Sequence, residues 1–199
     1  MFGPRINLFK LFGFPIRLDL SWIFIAILLT WSLAAAYFPQ VHPGLGEQTY
    51  WIMGLIGMLG LFASVVLHEL GHAIVARKYD LEIRGITLFI FGGVAEMMEE
   101  SRSAKAEFFV AIGGPLVSLA LAIGFWGISG LGLPEPVSGV IRYLAVINTV
   151  VLVFNMIPAF PLDGGRVLRA ILWHFGKSLR KATRTCSRIG SIFGWALIG

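Results

Sequence analysis

The stretch SVVLHELGHAIVARK, residues 64–78, sets His68 and His72 four residues apart with Glu69 between them. On a helix, positions i and i+4 share one face, close enough for two imidazoles to hold a single ion, while Glu69 stands about 100° round from His68, beside the ion. Zn²⁺ suits imidazole nitrogen, and a catalytic zinc takes three protein ligands and leaves a fourth position for water. Glu69 would then take a proton from the attacking water and pass it to a departing amine. The competing reading is two histidines bonded between helices and a glutamate facing a water cavity, because this motif alone is only moderately specific.

A third ligand has to come from elsewhere, and FNMIPAFPLDGGRVLRA, residues 154–170, offers one. Pro158 and Pro161 end an apolar helix, and Asp163 follows within two residues. Asp163 can complete a His, His, Asp set. It can equally cap the helix that Gly-Gly and RVLRAILWHF would form. Asn155, eight residues earlier, carries an amide that could hydrogen-bond a substrate carbonyl or a developing oxyanion, or make an interhelical bond.

The elements that must position these residues are membrane helices. Of 199 residues, 57% are hydrophobic and 14% charged, with mean hydropathy +0.81; soluble domains run nearer about 45–50% and about 25%. Apolar runs over residues 20–38, 50–75, 108–131 and 137–160 each approach or exceed the ~20 residues that cross ~30 Å of hydrocarbon. A fifth, 189–199, is too short and is expected to be the start of a truncated helix. No cleavable leader is expected, since the first run is long and lacks a small-residue cleavage site. The lone Cys186 excludes an internal disulfide.

The charges orient those spans. Of the 16 Lys and Arg residues, 15 precede the first span, lie between the second and third, or follow the fourth, and only Arg142 falls on the other side. The positive-inside rule therefore predicts a cytosolic amino terminus, and a pI near 9.7 reads as topology and not as nucleic-acid binding. His72 and His68, five and nine residues before Arg77, fall roughly 7 and 14 Å into the membrane from the cytosolic end at ~1.5 Å per residue. An intramembrane ionisable residue is a functional-site hypothesis by default.

ITLFIFGGVAEM, residues 86–97, is rich in strand formers and broken by Gly92 and Gly93, which predicts a hairpin or re-entrant strand. A peptide bond locked in a helix resists attack, so a strand edge at Gly92, Gly93 and Val94 could hold an unwound substrate by backbone pairing; a plain structural hairpin is the alternative. GGPLVS, residues 113–118, reads as close helix packing. His42 and His174 have no metal-ligand neighbour at helical spacing and are expected to be solvated. GKSLRKATRTCSR reads as a basic cytosolic loop touching anionic headgroups.

HELGH in an apolar helix, followed about ninety residues later by NMIPAFPLDGGR, resembles the site-2 protease family of intramembrane zinc metalloproteases. LFKLFGFPIRLDLSW, LFIFGGVAEM and AIGGPLVSL resemble further pieces of that family, and the likeness covers most of residues 8–170. It implies that His68, His72 and Asp163 hold one Zn²⁺ per chain, that Glu69 is the catalytic glutamate, and that Asn155 serves the reaction. The expected fold is an all-α polytopic membrane protein: one transmembrane metalloprotease domain over residues 1–199, with five to six spanning helices, the last truncated, and a short re-entrant β-hairpin after helix two. The expected substrate is a transmembrane protein in the lipid bilayer, with no nucleic acid bound and room for a cytosolic regulatory domain beyond residue 199. Two rivals stand beside this reading: a non-catalytic membrane zinc-binding scaffold, and a metal-ion transporter using the same three residues.

Overall fold

The computed structural model describes residues 5–89, 92–97, 101–176 and 178–198. Strands β1 (Arg5–Leu11) and β2 (Phe14–Asp19) lead into helix α1, Ser21–Val41, which contains a π-helical turn at Leu33–Tyr37. Helix α2 (Glu47–Lys78) follows, then β3 (Ile83–Phe89), β4 (Gly92–Met97) and α3 (Ala104–Ser129). Helices α4 (Glu135–Asn155), α5 (Asp163–His174) and α6 (Leu179–Ile198) complete the order.

Helices α1 to α4 are long and apolar enough to cross a membrane. Their large apolar side chains, among them Phe24, Ile27, Trp31, Leu116, Ile123 and Val153, are exposed, whereas His68, His72, Ser118 and Asn148 are buried. That inversion suits a solvent of lipid, which leaves polar groups to find partners inside the protein. Helix α2 is the central element, packed against α1, α3 and α4. It meets α3 where small residues let backbones touch: a Cβ on Gly71 would lie 2.5 Å from the Gly113 carbonyl oxygen, and one on Gly113 2.7 Å from that of Gly71.

The structure departs from the sequence expectation in several places. The β structure is a four-stranded sheet in the order β1-β2-β3-β4, so the fold is mostly helical and not all-α. Phe14, Ile16 and Leu18 of β2 alternate inward, and β2 pairs in parallel with β3 through Ile16–Ile86, Arg17–Thr87 and Leu18–Leu88. Second, α4 stops at Asn155, not at Phe160, because Pro158 forbids the helical pattern and the chain turns through Ala159 N to Ile157 O and Leu162 N to Ala159 O bonds. Third, the apolar run 189–198 belongs to the longer amphipathic α6, which buries Ala182 and Cys186 and exposes Arg180, Arg184 and Arg188. His42 also differs: it is largely buried, with Nδ1 3.3 Å from Glu135 Oε1, and the Tyr50 hydroxyl donates to its carbonyl at 2.6 Å. His174 is exposed.

Candidate metal centre

Three ligand atoms converge between α2 and the start of α5. His68 Nε2 and His72 Nε2 are 3.2 Å apart, and each lies 3.2 Å from Asp163 Oδ2. A tetrahedral ion with ~2.0 Å bonds separates its ligands by about 3.3 Å, so this triangle is the size of one face of a zinc coordination shell. Direct hydrogen bonding cannot explain all three edges, because two Nε2 atoms and one oxygen at mutual contact leave too few protons to share. The donor set therefore fits Zn²⁺, with one position left open.

The far side of each imidazole is fixed. His72 Nδ1 lies 2.7 Å from the Val110 carbonyl, to which it can only donate, and His68 Nδ1 lies 2.8 Å from Ser118 Oγ, a hydroxyl able to accept its proton. With its proton on Nδ1, each ring turns a free Nε2 lone pair toward the triangle, the arrangement that metal-binding histidines need. Between these two partners, a Cβ on Gly114 would collide with Nε2 of both His72 and His68. Helix α3 thus brings no ligand, yet its 110, 114 and 118 positions form one stripe behind the site.

Asp163 is held by backbone geometry. It is the first residue of α5, Leu162 is the cap, and no side-chain capping bond is made. Its carboxylate serves the histidines and does not cap the helix. A Cβ on Gly164 would strike the carbonyls of Met156 and Ile157, and one on Gly165 would lie 2.7 Å from that of Ala159, so the double glycine lets α5 start flush against the proline turn. The Asp163 carboxylate is buried, with Oδ2 turned toward both imidazole Nε2 atoms.

Glu69 sits on the adjoining face of α2, half-buried. A Cβ on Gly93 would come within 2.8 Å of Glu69 Cγ, so β4 crosses directly over the glutamate at its glycine pair. Gly92, Gly93 and Val94 pair with Phe89, Leu88 and Thr87 of β3. Asn155, the last residue of α4, is half-buried and, among the described residues, makes no hydrogen bond to the three ligand atoms. Sequence reasoning missed Ser118 and the Val110 carbonyl: the first stood inside GGPLVS, read as packing, and the second is a main-chain group without a side-chain signal.

The chain matches the profile of peptidase family M50 over residues 56–138 and 133–197. It is 45% identical over 198 residues to a Synechocystis sp. protein named as a candidate zinc metalloprotease, covering 98% of this chain and 51% of that one. It is 37% identical over 192 residues to zinc metalloprotease MJ0392 of Methanocaldococcus jannaschii, covering 93% and 50%. The chain therefore spans about half the length of the curated relatives it matches. Among solved structures, the site-2 protease from Methanocaldococcus jannaschii is similar, with a TM-score of 0.59 at 34% identity over 98% of this chain and 82% of that one.

Proposed function

This chain belongs to peptidase family M50, and from that premise we propose that it is an intramembrane zinc metallopeptidase that hydrolyses a peptide bond within or near a transmembrane segment of another membrane protein. The observation that carries this reading is the 3.2 Å triangle of His68, His72 and Asp163 with Glu69 on the next helical face. When bound there, zinc supplies Lewis acidity and lowers the pKa of water at the open position. The chain's own residues do the rest. Glu69 takes the proton of the attacking water as the C–O bond forms, then delivers it to the amine nitrogen as the C–N bond breaks. The edge of β4 at Gly92, Gly93 and Val94 holds the substrate unwound, so that its carbonyl faces the site in place of a helical hydrogen bond. Asn155 serves the carbonyl or its oxyanion through its amide once a substrate draws the end of α4 inward.

The finer arrangement belongs to the same proposal. Residues 1–199 form one catalytic domain, the amino terminus is cytosolic, water reaches the zinc from that side, and α6 starts a further membrane-associated element of a bundle of five to six helices. The test is cleavage of a transmembrane peptide by purified protein carrying one zinc per chain. Glu69→Gln is expected to keep the zinc and to slow cleavage by about 10²–10⁴-fold. Undiminished cleavage by that variant would remove Glu69 from the mechanism, and a zinc-loaded wild type that cleaves nothing would favour the scaffold.

A further inference from the structure

Glu107 is the most buried carboxylate of the described chain, 1% exposed near the start of α3, and it lies on the stripe that backs the metal centre. Residues 107, 110, 114 and 118 recur at helical spacing, so Glu107 stands one turn below the carbonyl that holds His72. It faces two arginines of α5. Arg169 Nη2 donates to Glu107 Oε1 at 2.5 Å, and Arg166 Nε donates to the same oxygen at 3.4 Å. Ser101 adds a side-chain hydrogen bond. Arg169, itself buried, lies over the Phe160 ring at 5.2 Å, in the turn that delivers Asp163.

A buried ion pair is a poor source of net stability, since desolvation offsets attraction, but it specifies one arrangement. Here the arrangement is the seat of α5. Asp163 opens that helix, Arg166 is one turn on and Arg169 nearly two, all on a rigid rod whose start has no capping bond of its own. The two histidines are fixed by α3 through Val110 and Ser118. Among the described residues the third ligand shows no such partner, and its register against the histidines depends on where α5 docks.

We propose that Glu107, through Arg169 and Arg166, is the positioning residue for the third metal ligand: it locks α5 onto α3 so that Asp163 Oδ2 meets the two Nε2 atoms. This rests on the zinc reading above. The ion pair does for the aspartate what Ser118 and Val110 do for the imidazoles, across a helix and not across a ring.

The experiment is a zinc-affinity titration against a competing chelator on detergent-purified wild type, Glu107→Gln and Arg169→Lys, each alone and combined with Asp163→Ala. Folding is checked by circular dichroism and gel filtration. Glu107→Gln leaves two arginines without a counter-charge and risks unfolding, so Arg169→Lys, which keeps the charge and loses only the planar fork, is the deciding variant if it does. Either variant is expected to weaken zinc binding by about 10–100-fold, the usual cost of losing a ligand's supporting partner. In the Asp163→Ala background, neither should change the residual affinity more than about twofold, because the ligand they position is gone. Unchanged affinity in a folded variant overturns the proposal, as does an equal loss in both backgrounds, which would mean general loosening. A wild type without zinc would instead overturn the metal reading itself, before the clamp is reached.

Discussion

At the scale of single residues, the centre depends as much on what is missing as on what is present. Gly114 presents a bare Cα to two imidazole nitrogens, and any side chain there would enter the space that the ligand triangle encloses. Gly114→Ala is therefore expected to weaken zinc binding by about 100-fold, at the upper end of what a disturbed ligand partner costs, although no ligand is altered. Metal content by elemental mass spectrometry, with circular dichroism to show that the helices persist, checks this. An alanine variant that holds zinc as tightly as wild type would mean that α3 can move away from the site. Legibility at this scale divides by kind of atom. His68 and His72 announced themselves by residue type and spacing, while Asp163 read equally as a helix cap until the resemblance singled it out. Val110 acts through its carbonyl, Gly114 by lacking a side chain, and Ser118 through a hydroxyl inside an apolar run, and none of these carries a distinctive letter.

Among elements, the same logic applies to the crossing of α2 and α3. Gly71 lies beside His72 and touches the Gly113 backbone, so the helix that carries the two histidines and the helix that orients them are in contact at the level of the proposed metal site. Gly71→Leu would force the two axes apart, with an expected loss of about 3 kcal/mol from overpacking and with zinc release before global unfolding. Thermal unfolding in detergent, followed beside metal content, measures both; a shift in melting without zinc loss would show that the crossing and the site are independent. The helices were legible because apolar length is a strong signal, and the end of α4 was placed too late because Met156 to Phe160 are apolar while Pro158 governs the backbone. β2 carried a period-2 pattern in Phe14, Ile16 and Leu18, but its partner strand lies some seventy residues on, at Ile86 and Leu88, and pairing at that range leaves no mark on either segment. The Glu107 contact with Arg166 and Arg169 was hidden for the same reason.

For the whole molecule, the question is which end of the bundle faces the cytosol, because that decides the side from which water and an unwound substrate arrive. Arg77, at the end of α2, donates to the Phe12 carbonyl at 2.9 Å and rests 4.9 Å from the Phe14 ring, tying the first hairpin to the helix end six residues past His72. Both linkers at the opposite end, 42–46 and 130–134, lack Lys and Arg. By the positive-inside rule, this distribution is expected to give the insertion proposed above. Cys186 is the sole cysteine and is buried, so a Cys186→Ala background, which adds no buried hydroxyl, leaves no competing thiol for labelling. In that background, Gly132→Cys is expected to react with a membrane-impermeant maleimide on intact cells, and Ser178→Cys only after permeabilisation. The reverse pattern would put the basic face outside and the zinc nearer the outer surface. It would leave the ligand triangle intact and require every statement about cytosolic access to be inverted, which is why orientation is tested apart from chemistry.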